Sequence, residues 1–205
     1  MSRPGLLLVL DGPSAVGRST TLRALADVWP DRRGGTLLEA GRDAAVAARG
    51  AGPGGRRAPL LDRVEHGPAG AAPRLRRGPL ARELVAGMHR AAAAWAVAGF
   101  DVGMDHLLTD AAAVADLRAV AAGLPLLVVG LTCDPVVLED RERRAGRPVG
   151  RAAAETAVLA AAASQAAAPV HDAVLDTTAM TTDELVEAVL DLVARAERDG
   201  RLSRT

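Results

Sequence analysis

Close to the start of the chain, two glycines, a cation and a hydroxyl group stand at the spacing that a phosphate-binding loop needs. Glycines let the backbone wrap so that its N–H groups converge on an anion, and a following helix adds the positive end of its dipole. Arg18 would bring charge to the β- and γ-phosphates of ATP, and the Ser19 hydroxyl would bind Mg²⁺. The predicted triphosphate site consists of Gly12, Pro13, Ser14, Ala15, Val16, Gly17, Arg18, Ser19 and Thr20.

Arg18 stands where such loops carry Lys. Lys offers a compact point charge, whereas Arg places a rigid fork of donors on phosphate oxygens. Since the chain contains no Lys at all, Arg18 fits a working catalytic cation in an Arg-only sequence. It also fits a loop that binds nucleotide without transferring phosphate, and an ordinary glycine-rich turn is a third interpretation.

The loop lies between a short apolar run, residues 5–10, and a helical pattern that Trp29 and Pro30 are expected to end. Strands alternating with helices predict an α/β fold of three layers, with a five-stranded parallel sheet. The other predicted strands are residues 36–40, 100–108, 125–133 and 173–175. The predicted helices are residues 19–28, 79–97 and 111–122, an alanine-rich helix that ends near residue 168, and a last helix capped by Thr181 to Glu184.

Composition narrows the classes of protein. A length of 205 residues favours a single domain, residues 1–205. A net charge of zero, with two Trp, one Phe and no Tyr, argues against nucleic acid as a partner. One cysteine, Cys133, predicts an inert core thiol and a cytoplasmic location, and no apolar stretch is long enough for a membrane span. A homo-oligomer is compatible with the sequence.

Three segments break the alternation of strands and helices. Residues 47–78 are rich in Gly, Pro and Arg, which fits either a surface insertion or a segment that covers the substrate. Residues 140–151 are dense in arginine, which fits either a solvated charged run or a mobile lid. The polar residues 199–205 are expected to fray.

Several motifs after the loop resemble, in order and spacing, those of the chloramphenicol phosphotransferase family, P-loop kinases that phosphorylate a hydroxyl of an antibiotic. The resemblance implies a P-loop NTPase fold of the nucleoside- and shikimate-kinase type with a mobile lid. It also implies ATP, Mg²⁺ and a small-molecule acceptor with a free hydroxyl. The motifs are Gly41-Arg42-Asp43, Met104-Asp105-His106, Val129 to Asp134, Arg141-Glu142, Arg144 to Gly150, and Asp176-Thr177-Thr178.

The resemblance and the position along the chain together suggest roles for two carboxylates. Asp43, after the second strand, is expected to take the proton of the acceptor hydroxyl, and a helix cap is the alternative. Asp105, at the end of the third strand, is expected to join Ser19 in binding Mg²⁺ or to contact the substrate. Its alternative is a solvated carboxylate. Asp11, before the loop, is expected to brace it.

The arginines of the predicted lid receive different roles. Arg144 and Arg147 match the family's lid and are expected to neutralise the transferring phosphoryl group. Arg141 and Arg143 are interpreted as solvated side chains. Residues 177–180 follow the last strand, where adenine packs in this fold.

The sequence therefore predicts an ATP-dependent O-phosphotransferase that acts on a hydroxyl of an antibiotic or natural product, in resistance or biosynthesis. A metabolite kinase of the shikimate or gluconate type is one alternative. A nucleotide-binding module without transfer is the other.

Overall fold

A computed structural model of the chain describes residues 3–41, 63–65, 74–76, 81–147, 149–166 and 168–202. The strands are β1 (Leu7–Asp11), β2 (Leu37–Gly41), β3 (Arg63–Glu65), β4 (Arg74–Arg76), β5 (Asp101–His106), β6 (Leu126–Thr132) and β7 (Ala173–Asp176). The helices are α1 (Arg18–Arg33), α2 (Ala81–Val97), α3 (Ala111–Val120), α4 (Pro135–Arg144), α5 (Arg151–Gln165) and α6 (Thr182–Arg198).

Five of these strands form one sheet in the order β2-β5-β1-β6-β7, and every neighbouring pair is parallel. The α/β fold with a five-stranded parallel sheet is thus confirmed. Leu10 pairs in register with Asp105, and Asp11 with Gly130. Because parallel strands end at the same edge, the loop after β1 lies beside the end of β5.

The first strand reads as a continuous apolar run because helices cover both faces of the sheet. Leu8 and Leu10 belong to a core shared with α1 and α6, while Leu7 and Val9 belong to one shared with α2 and α3. The two cores pack against opposite faces of β1, the central strand of the sheet. The phosphate loop therefore follows a strand that is rigidly held.

The expectation that Trp29 and Pro30 end the first helix was wrong. The helix continues to Arg33, with Pro30 inside it. Trp29 is buried, and its Nε1 donates to Asp101 Oδ2 at 2.9 Å. The stabilisation from this packing outweighs the loss of the helical hydrogen bond that Pro30, without an N–H, cannot donate. Two ion pairs also hold the last turn against α6: Arg32 with Glu187 and Arg33 with Glu197.

The charged segment 140–151 is not one continuous loop. Its first part belongs to α4, whose N-cap Asp134 accepts from the amides of Val136 and Val137. Asp followed by Pro at the first helical position is a helix-start signal that the sequence analysis overlooked. Cys133 follows β6 rather than lying within it, and is partly buried against the core.

Two further segments are described in part. Part of the 47–78 segment forms an antiparallel hairpin in which Val64 pairs with Leu75, and β4 lies against α5. The rest of that segment is outside the described residues. In the segment 199–205, Leu202 is buried and its amide donates to the Ala196 carbonyl, while residues 203–205 lie outside the described residues.

The N-terminus of α6 follows the expected capping pattern. The Thr181 hydroxyl accepts from the Glu184 amide, and the Glu184 carboxylate accepts in turn from the Thr181 amide. Among the described residues, no helix combines the length and apolarity needed to cross a bilayer.

A pair of glycines tests how tightly the sheet is packed. A Cβ at Gly5 would lie 1.9 Å from the carbonyl oxygen of Phe100, whereas a Cβ at Gly87 on α2 would meet nothing within 4 Å. Gly5→Ala should lower the free energy of unfolding by more than about 2 kcal/mol. Gly87→Ala should raise it by about 0.5–1 kcal/mol, because Ala favours the helix. Denaturant unfolding measures both, and wild-type stability in Gly5→Ala would contradict this packing.

Candidate active site

The loop between β1 and α1 has the backbone shape that binds an anion. Gly17 has φ 109° and Ala15 has φ 61°, both left-handed. Left-handed residues among right-handed ones turn successive N–H groups toward one point. Gly12 meets a different constraint, because a Cβ there would lie 2.5 Å from the Leu131 carbonyl oxygen. The glycines therefore serve the wrapping of the loop and its close packing on β6.

A cavity of about 530 Å³ opens above this loop. Four of its lining residues are arginines and, within the described part of the chain, none is acidic, so the cavity favours a polyanion. Among the predicted loop residues, Gly12 and Ser14 do not line it, while Thr20 does. The lining residues are Pro13, Ala15, Val16, Gly17, Arg18, Ser19, Thr20, Thr21, Arg23, Arg141, Ala145, Arg147, Thr177, Met180, Thr181, Thr182 and Leu185.

Asp105 lies against the phosphate loop. The Ser19 hydroxyl donates to Asp105 Oδ2, and Arg18 Nε lies 3.2 Å from Asp105 Oδ1. Arg18 also donates to the carbonyl of His106. Asp105 is only 9% exposed, so it is not a solvated carboxylate.

The pairing of Ser19 with Asp105 fits a Mg²⁺ site. Mg²⁺ takes one or two protein oxygens and completes its shell with phosphate oxygens and waters. The described residues contain no cluster of three or more His, Cys, Asp and Glu side chains that could hold an ion by themselves. A hydroxyl and a buried carboxylate beside a polyanion cavity are the donor set that this ion requires.

The expectation that Arg141 is a solvated side chain was wrong, because it lines the cavity and pairs with Thr177. Its guanidinium donates to the carbonyl oxygen of Thr177 at 2.8 Å and to the Thr177 hydroxyl at 3.2 Å. That hydroxyl donates to the Val16 carbonyl at 3.2 Å, so Arg141 is held beside the phosphate loop. The signal in the sequence was the Arg141-Glu142 pair, one of the motifs that carry the resemblance.

The two predicted lid arginines are placed differently. Arg147 lines the cavity together with Arg18. Arg144 lies on α4, is 79% exposed and pairs with Asp140 at 2.7 Å, so the structure does not bring it to the cavity. Asp43, the predicted base, lies outside the described residues.

Thr177 and Met180, from the segment predicted to pack against adenine, line the cavity. Asp11 does not brace the phosphate loop as expected. Its two oxygens instead contact the Leu108 amide and His171 Nε2, each at 2.8 Å. Gly130 makes room for the His171 ring, because a Cβ there would lie 2.9 Å from it.

A chain of buried histidines supports the end of β5. The Leu107 amide donates to His106 Nδ1 at 2.6 Å, so the neutral His106 ring carries its proton on Nε2. That nitrogen lies 2.5 Å from His89 Nε2, which therefore accepts, and His89 Nδ1 donates to Asp116 at 2.6 Å. Burial lowers the pKa of His89, with Arg90 adding to the effect and Asp116 opposing it.

The sheet with its loop at the carboxyl edge has the fold of solved kinases such as a gluconokinase and a shikimate kinase. Together with the family match over residues 5–194, this fold defines the protein as a P-loop phosphotransferase. The chain belongs to the chloramphenicol phosphotransferase-like family, whose profile matches residues 5–194. No curated protein matches the sequence.

Solved structures agree on the fold. A gluconokinase from Sinorhizobium meliloti 1021 is 20% identical, with a TM-score of 0.59 and 100% of both chains covered. A tunicamycin resistance protein from Deinococcus radiodurans is 19% identical, with a TM-score of 0.58 over 92% of this chain and 95% of that one. An APS kinase from Mycobacterium tuberculosis, solved with AMPPNP and APS, is 18% identical, with a TM-score of 0.59 over 93% and 98%.

The neutral His89 makes stability depend on pH. The pKa of His89 is lowered on folding, so below an unfolded pKa of about 6.5 the unfolded chain binds more protons. Stability should therefore fall as the pH drops below about 6.5, by at most about 1.4 kcal/mol per pH unit from this group. The pKa values of Glu187 and Glu197 are lowered on folding, so the stability that these carboxylates contribute is lost only below about pH 4.5. Their effect is therefore separate from that of His89.

Denaturant unfolding at pH 5.5 and 7.5 measures this dependence. His89→Gln removes the titrating ring and should flatten the difference between the two values. An unchanged difference in the variant would show that other groups produce it.

Proposed function

We propose that the protein is an ATP- and Mg²⁺-dependent O-phosphotransferase that acts in the cytoplasm on a hydroxyl of a small molecule, an antibiotic or a related natural product. The observation that carries the proposal is the cavity lined by arginines, with the Ser19–Asp105 pair beside the phosphate loop. Membership of the chloramphenicol phosphotransferase-like family supports the proposal that the phosphate acceptor is a hydroxyl group. A resistance protein among the proteins of similar fold is consistent with it.

The parts of the cavity divide the work of binding. The N–H groups of the loop and Arg18 would bind the β- and γ-phosphates, and Arg147, which lines the same cavity, would contact the transferring group. Met180 and Arg141, the latter held by Thr177, line the cavity and would contact the base of the nucleotide. Ser19 and Asp105 would hold Mg²⁺, which neutralises charge shared by the β- and γ-phosphates.

The acceptor hydroxyl attacks the γ-phosphorus, and the bond from that phosphorus to the β–γ bridging oxygen breaks. In our proposal Asp43 takes the hydroxyl proton as the new oxygen–phosphorus bond forms. ADP leaves with the electron pair of the broken bond. Arg18 and Arg147 offset the negative charge on the phosphoryl oxygens during transfer.

The aromatic residues bear on the class of acceptor. The chain has three, Trp29, Trp95 and Phe100, and none of them lines the cavity. Trp29 is buried in the core, and Trp95 and Phe100 flank the amino end of β5, away from the loop. An acceptor here is therefore recognised by hydrogen bonds and charge rather than by stacking on a ring.

One observation favours a second candidate, a nucleotide-binding module that does not transfer phosphate. Arg18 pairs with Asp105 at 3.2 Å and with the His106 carbonyl, so part of its charge is already neutralised. Nucleotide binding followed by no transfer to any acceptor would establish this candidate.

Binding of nucleotide is tested first. Arg18→Ala should weaken the affinity for Mg·ATP by about 10- to 100-fold, because charged donors to phosphate are worth roughly twice a neutral hydrogen bond. Arg32→Ala, on the exposed side of the same helix, is the matched control and should bind like wild type. Isothermal titration calorimetry measures both. Equal affinity in wild type and Arg18→Ala would remove Arg18 from the site.

Transfer is tested with γ-labelled ATP and a panel of hydroxylated antibiotics, sugars and shikimate-like acids. Label should move to an antibiotic or natural product. Asp43→Ala should lower that rate by about 10²- to 10⁴-fold while binding ATP normally. Asp31→Ala, an exposed carboxylate on α1, is the control. Transfer to a sugar or metabolite alone would replace the proposed acceptor, and a fully active Asp43→Ala would remove Asp43 as the base.

A further inference from the structure

Two glutamates beside the cavity are completely buried. Glu142 on α4 and Glu155 on α5 are each 0% exposed. Carboxylates are rarely buried unless they are paired, since removing the charge from water costs several kcal/mol. Neither residue has a role in the phosphoryl transfer described above, so their burial requires a separate explanation.

Glu155 binds the phosphate loop directly. Its Oε2 accepts from the Ser14 amide at 2.6 Å and from the Ser14 hydroxyl at 2.7 Å, across 141 residues of sequence. Arg151, one turn earlier on α5, places its Nε 2.8 Å from Glu155 Oε1 and 3.1 Å from the Ser14 hydroxyl oxygen. Ser14 is therefore turned away from the cavity and toward α5.

Glu142 holds the turn that joins α4 to α5. Its carboxylate accepts from the Gly150 amide at 2.9 Å and from the Ala152 amide at 2.6 Å, where α5 begins. Its own carbonyl accepts from the Arg147 amide at 2.9 Å. One buried residue thus fixes both the start of α5 and the backbone of Arg147.

These contacts form one continuous connection. It runs from Ser14 through Glu155 into α5, from the start of α5 to Glu142, and from Glu142 to Arg147. The first steps are hydrogen bonds to the buried carboxylates of Glu155 and Glu142 and the intervening turns of α5, and the last is the backbone hydrogen bond from the Arg147 amide to the Glu142 carbonyl. The phosphate loop and Arg147, which lines the same cavity, are therefore connected.

We propose that Glu155 is a positioning residue that connects the phosphate loop to the α4–α5 turn, so that Arg147 and the loop contact the same phosphates. This inference rests on the proposed function. If it holds, removing Glu155 lets the turn move and removes most of what Arg147 contributes. A glutamate that only stabilised the fold would leave the contribution of Arg147 unchanged.

A double-mutant cycle on the affinity for Mg·ATP separates the two roles. Glu155→Gln and Arg147→Ala should each weaken binding about tenfold, the loss expected for one charged hydrogen bond. The double variant should also bind about tenfold more weakly, rather than the roughly hundredfold that independent effects predict. A hundredfold loss, or wild-type affinity in Glu155→Gln, would overturn the proposal.

The controls keep the result interpretable. Thr156→Ala is the matched control, because Thr156 is exposed and its hydroxyl bonds only to Ala152 within α5. Thermal unfolding establishes that each variant is folded. If Glu155→Gln does not fold, Ser14→Ala removes the hydroxyl contact of the same connection and takes its place in the cycle. Failure of the wild type to bind ATP would overturn the proposed function, whereas wild-type binding with independent effects would overturn this inference alone.

Discussion

The parallel pairing of β1 with β5 decides where the chemistry lies. It aligns Leu10 with Asp105, so the loop that follows β1 meets a carboxylate at the end of the neighbouring strand. Ser19 and Arg18 both contact that carboxylate. A shift of one residue in this register would turn Asp105 to the other face of the sheet and separate it from Ser19. The proposed Mg²⁺ site and the placement of Arg18 both depend on this pairing.

Around this contact the protein distributes charge unevenly. Arginines line the cavity, while the neighbouring carboxylates are buried: Asp105 pairs with Arg18, Glu142 accepts from the start of α5, and Glu155 accepts from Ser14. A buried carboxylate with several donors is rigid, because losing any partner exposes an uncompensated charge. The cationic surface can therefore be held in a defined shape without a negative charge facing the phosphates.

The buried histidines support the site through hydrogen bonds at the end of β5. His89 and Asp116 hold the His106 ring, and the His106 carbonyl receives a hydrogen bond from Arg18. Helices α2 and α3 are thereby connected to the phosphate loop through the end of β5. The site is supported from both faces of the sheet, by α2 and α3 on one side of β5 and by α1 on the other.

Much of the fold was predictable from local patterns, and much of the site was not. Short runs ending in turn residues located all five strands of the sheet to within a few residues, and the central strands β1 and β6 are continuously apolar because they are buried on both faces. The predicted end of the first helix at Pro30 was wrong because the burial of Trp29 and its hydrogen bond to Asp101 are tertiary effects. Arg141 and Arg144 are equally charged and three residues apart, yet only the first faces the cavity, and no local pattern separates them. The role of Asp43 stays a prediction.

By itself, the sequence determined the phosphate loop, the helix it begins and the alternation that builds a parallel sheet, because these follow from the backbone preferences of glycine and the periodicity of apolar residues. Only the tertiary structure decided which polar side chains meet. Ser14 finds Glu155 across 141 residues, and His89 finds His106 and Asp116 from three separate elements. Such pairings depend on strand register and helix packing, which arise from the whole chain at once and leave no local signature.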